Sequence, residues 1–115
     1  QRWEDDGVLR WCRLEHGQAA VMLQQYREEG HDARRFSDNK GDGIMLAFFC
    51  PDAVAYYQEL RQRAVDASEP AVGNGMWSFA VTDPDGFRLA FESYTDATEG
   101  MTLSQALARA APRPR

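Results

Sequence analysis

A β-hairpin predicted at residues 77–92 constrains the fold of this chain more than any other sequence feature. Two alternating runs of β-forming residues flank the turn segment Asp-Pro-Asp-Gly at 83–86. Proline presets φ for a turn, aspartate accepts hydrogen bonds from the backbone ahead of it, and glycine tolerates a positive φ. The sequence therefore predicts two antiparallel strands joined by this turn. Alternation places Arg88, Ala90 and Glu92 on one face of the second strand.

The patterns around the hairpin predict further strands and one helix. Apolar runs at 8–15 and 19–25 are separated by a His-Gly turn signal and predict an antiparallel pair. A continuous apolar run at 44–50 predicts a buried strand, and Asp52 is placed to cap a helix that continues to about residue 66. Residues 67–75 are predicted as a loop or a short edge strand, because Pro70 disfavours a central position.

These patterns predict an α+β fold and the boundaries of its segments. A single domain is predicted at 1–95, made of a first segment at 1–26, a polar connection at 27–43 and a second segment at 44–95. A tail follows at 96–115, in which 103–110 predicts one short helix and two later prolines mark a loose end. From residue 44 the element order is strand, helix, short strand or loop, strand and strand.

Composition limits the partners of the chain. A net charge of −5 argues against a nucleic-acid-binding surface, which is typically basic. No apolar run approaches the roughly 20 residues that span a bilayer, and the first residues lack signal-peptide character. We therefore expect no nucleic acid, no membrane and a cytoplasmic location. Cys12 and Cys50 lie in apolar runs, where free cysteine behaves as a small buried hydrophobe, although a disulfide between them stays open.

The βαβββ order that ends in the Asp-Pro-Asp-Gly hairpin resembles the second half of a protein of the vicinal oxygen chelate superfamily. This superfamily includes glyoxalase I, bleomycin-resistance proteins and extradiol dioxygenases. Residues 75–86 with Phe91, 11–14 with 21–23, and 44–48 with the Asp52 helix carry the resemblance, which spans about 3–94. It implies paired βαβββ modules that form an open, cup-shaped mixed sheet with the helices packed outside.

The first module departs from the pattern of this superfamily. It lacks its opening strand and helix in this sequence, and the first residues resemble the end of its second strand. Either the sequence lacks its natural N-terminus or a partner chain supplies the missing strand, since an unpaired sheet edge is a liability. We expect a homodimer, with strand exchange as one form of it, because paired cups in this superfamily commonly share an interface.

The resemblance also indicates where a metal would be bound. Metalloenzymes of the superfamily take one ligand from the first strand of each module and a glutamate from the last strand. In the second module these positions fall at Met45 and Ala90. A thioether and a methyl group do not suit zinc, manganese, nickel or non-haem iron. Glu92, on the face of Ala90, is the nearest substitute and requires a register shift. We expect no metal, no cofactor and no catalytic residue.

The expected function is metal-independent binding of a small, largely aromatic molecule, in the manner of drug- or antibiotic-sequestering resistance proteins. Methionine adapts its shape to a ligand and tryptophan rings stack on flat molecules, although aromatic residues in strands are also common in cores. The candidate ligand-binding residues are Trp11, Met45, Ala47, Phe49, Trp77, Arg88, Ala90 and Glu92.

Two alternatives to ligand binding remain. The first is a metal-dependent enzyme of the glyoxalase or dioxygenase type, which requires a bound divalent ion. The second is a catalytically inert interaction domain, for which the long polar connection and the tail are the hints.

Overall fold

The chain forms two compact units, Gln1–Asp38 and Asn39–Arg115, and each is described by itself. The structure, a computed structural model, describes residues 1–25 and 40–112. The boundary between the units falls within the connection predicted at 27–43, most of which lies outside the described residues. The predicted tail belongs to the second unit.

The first unit contains a three-stranded antiparallel sheet in the order β1-β2-β3. Its strands are β1 (Arg2–Asp5), β2 (Val8–His16) and β3 (Ala19–Gln24). Asp6 and Gly7, between β1 and β2, both have a positive φ, as tight hairpin turns of this kind require. The pairing of β2 with β3 runs from Trp11 opposite Gln24 to His16 opposite Ala19, which confirms the predicted antiparallel pair.

The second unit contains a four-stranded mixed sheet in the order β4-β7-β6-β5. Its strands are β4 (Met45–Phe49), β5 (Ala71–Gly73), β6 (Met76–Thr82) and β7 (Arg88–Tyr94). The first and last of these strands, β4 and β7, run parallel, and the other pairs are antiparallel. Helix α1 (Ala53–Gln62) follows β4, and helix α2 (Leu103–Ala110) follows the sheet. The fold is α+β, as the sequence predicts.

The turn between β6 and β7 has the chemistry that its sequence indicates. The Asp83 carboxylate accepts hydrogen bonds from the backbone N–H groups of Asp85 at 2.9 Å and Phe87 at 2.8 Å. Gly86 has a φ of 91° and donates its N–H to the Asp83 carbonyl at 3.0 Å. The predicted hairpin is therefore confirmed, including its turn.

One face of the four-stranded sheet packs against α1 through aromatic rings. Phe79, at 2 % exposure, lies between Phe91 at 5.4 Å and Tyr57 at 5.6 Å, measured between ring centroids. Tyr56 meets Phe91 edge-on at 4.9 Å. Phe48 on β4 stacks on Phe91 and extends the cluster across the sheet. These rings form the core of the second unit.

Both ends of α1 are set by local chemistry. Asp52 accepts a hydrogen bond from the Ala55 N–H at 3.0 Å, which confirms the predicted N-cap. Ser93 on β7 accepts from the Ala53 N–H at 2.8 Å and fixes the start of the helix to the sheet. The helix ends at Gln62, earlier than predicted, because Ala64 adopts a positive φ of 60°.

The β5 edge of the sheet is covered by the chain that leads into α2. The Val72 N–H donates to the Met101 carbonyl at 2.8 Å, and the Gly100 N–H donates to the Val72 carbonyl at 2.9 Å. Helix α2 has the bounds predicted from the sequence and begins with a capping box at Thr102. The Glu69 carboxylate accepts from the backbone N–H and the hydroxyl of Ser104, and these hydrogen bonds lower the pKa of Glu69.

No helix in the described ranges is long and apolar enough to cross a membrane.

Candidate functional site

Six of the eight candidate ligand-binding residues lie together on the sheet face opposite α1. They form three cross-strand pairs between β4 and β7, and β6 extends each pair into a row of three. Cross-strand partners share a face of a sheet, so the three rows form one surface. We call this surface the open face; its rows are Met45-Arg88-Thr82, Ala47-Ala90-Ala80 and Phe49-Glu92-Ser78.

The middle row of the open face consists of alanine on all three strands. Ala90 lies opposite both Ala47 and Ala80, and it is 3 % exposed. Neighbouring strands lie about 4.8 Å apart, so the row is roughly 10 Å from β4 to β6. The alanine row is therefore a low, flat strip of a width that suits one or two fused rings.

Exposed aromatic rings border one end of the open face. Phe49 is 70 % exposed and stacks on Tyr94, which is 81 % exposed, with ring centroids 6.1 Å apart and planes 13° apart. The sequence reasoning missed Tyr94, although it lies two residues beyond Glu92 on the same strand and therefore on the same face. The two rings add an apolar wall next to the alanine row.

A groove of about 500 Å³ lies at the other end of the open face. Met45, Thr82 and Arg88 belong to both the groove and the open face, so the two are continuous. The sequence reasoning missed most of the lining, which comes from a loop and a turn; the lining residues are Gly41, Asp42, Gly43, Ile44, Met45, Thr82, Gly86 and Arg88.

The two charged residues of the open face are available to a ligand. Within residues 1–25 and 40–112, neither the Arg88 guanidinium nor the Glu92 carboxylate has a hydrogen-bond or ion-pair partner. They are four residues apart on β7, so their Cα atoms are separated by roughly 13 Å along the strand. The open face therefore has a positive end at the groove and a negative end near Phe49.

The structure does not bring Trp77 to the open face. Trp77 lies opposite Ser93, whose hydroxyl contacts the start of α1, so its side chain shares the α1 face with Phe79. Trp77 was predicted to bind a ligand from a strand that lines or flanks the cup, and the strand pairing places it on the other face of the sheet from Arg88. The physical reason is strand alternation, because Trp77 and the buried Phe79 are two residues apart.

Trp11 belongs to the first unit. It is half-buried in β2, opposite Trp3 on β1 and Gln24 on β3. Trp3 is half-exposed and was not among the candidate residues. The two rings occupy one row of the three-stranded sheet.

The donor groups of the open face do not fit a transition-metal ion. At the two positions where the superfamily resemblance indicates ligands, Met45 offers a thioether and Ala90 a methyl group, and neither suits zinc or non-haem iron. In the described part of the chain, no group of three or more His, Cys, Asp or Glu side chains is placed to hold a metal.

A cysteine directly follows β4, one of the strands of the open face. Cys50 follows β4 and donates a hydrogen bond to the Glu92 carbonyl at 3.6 Å, and burial raises the pKa of this thiol. Cys12 and Cys50 are both free and half-buried.

Comparison with known proteins supports the fold alone. No family model and no curated protein matches this chain. A solved structure described as a "conserved domain protein" superposes with a TM-score of 0.57 at 19 % sequence identity, covering 81 % of this chain and 75 % of that chain. At this identity the likeness extends to the fold and carries no information about a ligand.

Proposed function

We propose that this chain binds a small, largely aromatic molecule on the open face without the help of a metal. The activity resembles that of the drug- and antibiotic-sequestering members of the vicinal oxygen chelate superfamily. The observation that carries the proposal is the alanine row, flanked by the Phe49–Tyr94 pair at one end and by the groove at the other. Binding consists of burial and stacking, with no covalent step.

The exposure of apolar groups on the open face supports this proposal. Met45 is 51 % exposed, and it lies on the same face as the more exposed rings of Phe49 and Tyr94. Contiguous exposed apolar surface of this kind marks interaction sites in soluble proteins. A flat ligand that buries roughly 200 Å² of apolar surface gains about 5 kcal/mol before the entropic cost of association, at about 25 cal/mol per Å².

The topology of the second unit supports the superfamily proposal. Its elements follow the order strand, helix and three strands, and its first and last strands form the parallel pair at the β4 side of the sheet. This is the order of a βαβββ module. We propose that it is one module of a paired, cup-shaped arrangement.

The metal-dependent alternative has less support from the residues. A glyoxalase- or dioxygenase-type reaction needs nitrogen or oxygen donors and an open coordination position for the substrate. Met45 and Ala90 provide no such donors, so we derive no metal-dependent step. Elemental analysis of purified protein that finds one tightly held divalent ion per chain would favour this alternative over the proposal.

Adding bulk to the alanine row tests the ligand-binding proposal. In NMR titrations with 2-naphthamide, a neutral two-ring probe, we expect the largest amide shifts in β4, β6 and β7. Ala47→Leu fills part of the flat strip, and we expect it to weaken binding roughly tenfold, which corresponds to about 1.4 kcal/mol of lost contact. Ala47 is exposed, so the fold tolerates the longer side chain.

The matched control for Ala47→Leu is Ala55→Leu, an exposed position on α1 that receives the same side chain. The control should bind 2-naphthamide with unchanged affinity. Equal weakening by both substitutions would show that Ala47 does not contact the probe. If no aromatic probe in a panel shifts any amide, the inert interaction domain becomes the preferred function.

We also propose that two copies associate through β4. This strand lies at the edge of its sheet, and its outer side has no strand partner among the described residues. Ile44 and Met45 are about half-exposed there, and the strand carries neither proline nor charge to protect its edge. Antiparallel pairing of two β4 strands satisfies the free backbone groups symmetrically.

Sedimentation equilibrium tests the association. At micromolar concentration we expect a species of twice the 13.0 kDa chain mass. Ile44→Lys introduces like charges at the edge and should return the protein to a monomer. Gln58→Lys adds the same charge at an exposed position on α1 and is the control, which should leave the dimer intact. A monomeric wild-type protein at the same concentration would refute the association.

A further inference from the structure

We infer that the molecule bound on the open face carries a carboxylate, which Arg88 holds where the open face meets the groove. The inference rests on the proposed function and specifies its ligand class as planar aromatic carboxylates. Three observations support it. Arg88 has no ion-pair partner among the described residues, the groove beside it has room for a carboxylate, and the positive and negative side chains of β7 lie at opposite ends of the open face.

The Arg88 guanidinium differs from most of the other cationic groups described in the chain. Arg2, Arg13 and Arg63 each meet a glutamate, and Arg61 meets Asp66 at 3.9 Å. Arg88 has no such partner within residues 1–25 and 40–112, although the chain has 18 acidic residues for 13 basic ones. An arginine that lines a groove without an internal partner is free to pair with an anion from solution.

The position of Arg88 fits a carboxylate attached to a ring on the alanine row. Arg88 and Ala90 are two residues apart on β7, so their rows are separated by about 7 Å. A ring on the alanine row, resting on the exposed Ala47 and the half-buried Ala80, therefore places a ring-bound substituent within reach of the guanidinium. The planar fork of arginine matches the two oxygens of a carboxylate and forms two parallel charge-assisted hydrogen bonds.

The groove provides space around the carboxylate and apolar contact beside it. At about 500 Å³ it is larger than a carboxylate alone and leaves room for bound water. Ile44 and Met45 contribute apolar walls, and Thr82 contributes a hydroxyl that is able to donate a hydrogen bond. These groups favour a ring-bound carboxylate over a free inorganic anion, because the ring contacts the apolar walls and an inorganic anion has no apolar surface to place there.

One acidic residue of the open face sets the orientation of the bound anion. Glu92 lies at the end opposite Arg88 and repels a carboxylate placed there. The favourable position is therefore next to Arg88, with the aromatic body of the ligand extending towards Phe49 and Tyr94.

The test compares three probes that share one ring system: 2-naphthoate, 2-naphthamide and 2-naphthylmethylammonium. In calorimetric or NMR titrations of the wild-type protein, we expect 2-naphthoate to bind about tenfold more tightly than 2-naphthamide, which is the lower range for a hydrogen bond to a charged group. In Arg88→Gln this ratio should fall to about one, because the variant lacks the charged group that favours the carboxylate over the amide. Arg61→Gln, an exposed arginine on α1, is the matched control and should keep the wild-type ratio.

The outcomes separate this inference from the function on which it rests. If 2-naphthamide binds and 2-naphthoate binds no better, the carboxylate inference is wrong and the proposed function stands. A preference for 2-naphthylmethylammonium, or an unchanged ratio in Arg88→Gln, also overturns the inference. If none of the three probes binds, the proposed function itself fails. Arg88 is exposed, and an amide spectrum that matches the wild type confirms that Arg88→Gln is folded.

Discussion

Phe79→Ala is expected to lower the free energy of unfolding by about 4 kcal/mol, within the usual cost of truncating a buried phenylalanine. Phe79 is 2 % exposed, and its ring contacts those of Tyr56, Tyr57 and Phe91. Removal leaves a cavity between the sheet and α1 that three large rings cannot fill without moving. Urea denaturation followed by far-UV circular dichroism measures the change.

Phe49→Ala is the matched control for this substitution. Phe49 is also a strand phenylalanine of the second unit, but it is 70 % exposed and lies on the open face. We expect it to change the free energy of unfolding by less than about 0.5 kcal/mol, as surface substitutions usually do. Similar losses from both variants would contradict the division of the sheet into a core face and an open face.

Gly41→Ala is expected to destabilise the second unit by about 3 kcal/mol, at the upper end of the cost of overpacking. A Cβ atom at Gly41 would lie 2.1 Å from the Gly86 carbonyl oxygen and 2.8 Å from the Phe87 Cα. Both are backbone atoms of the β6–β7 turn, which is held by hydrogen bonds to Asp83, so neither moves easily. Thermal unfolding of the variant should occur at a lower temperature.

Gly73→Ala controls for the general effect of a glycine-to-alanine change. A Cβ at Gly73 meets its nearest atom, a Glu99 carboxylate oxygen, at 4.0 Å, which is ordinary contact. We expect this variant to unfold at nearly the wild-type temperature. Equal stability of the two variants would show that the 41–43 loop does not pack against the hairpin turn, and the groove described here would then lose one of its walls.

Local sequence patterns were sufficient to predict most elements of the second unit. The Asp52 cap, the 83–86 turn and the bounds of α2 each depend on residues close in sequence, and all three are confirmed. The end of α1 was predicted too late, because the helical spacing of apolar residues continues past Gln62 while Ala64 leaves the helix with a positive φ. Alanine is a strong helix former, so the residue type at position 64 carries no signal of this break.

The open face was predicted only in part, for two different reasons. Trp77 was assigned to it because tryptophan often stacks on ligands, although its alternation with Phe79 places both on the α1 face. The groove was missed because it depends on the approach of Gly41 to Gly86, a contact between residues far apart in sequence. Spacing and propensity describe neighbours along the chain and do not predict such contacts.

The paired arrangement of modules was implied by resemblance and not by local pattern. The described residues give the order and pairing of strands within each unit. The cup is proposed from the resemblance, and the strand order within the second unit supports it.

The alanine row has a consequence for how such a protein diversifies. Because core-facing and open-face positions alternate along β4, β6 and β7, a change at Ala47 or Ala80 alters the open face without touching the aromatic cluster beneath α1. Under the proposed function, the residues that select the ligand and the residues that hold the fold together occupy alternate positions on the same strands. Single substitutions at Ala47 or Ala80 would then change which small molecule is bound while the scaffold is retained.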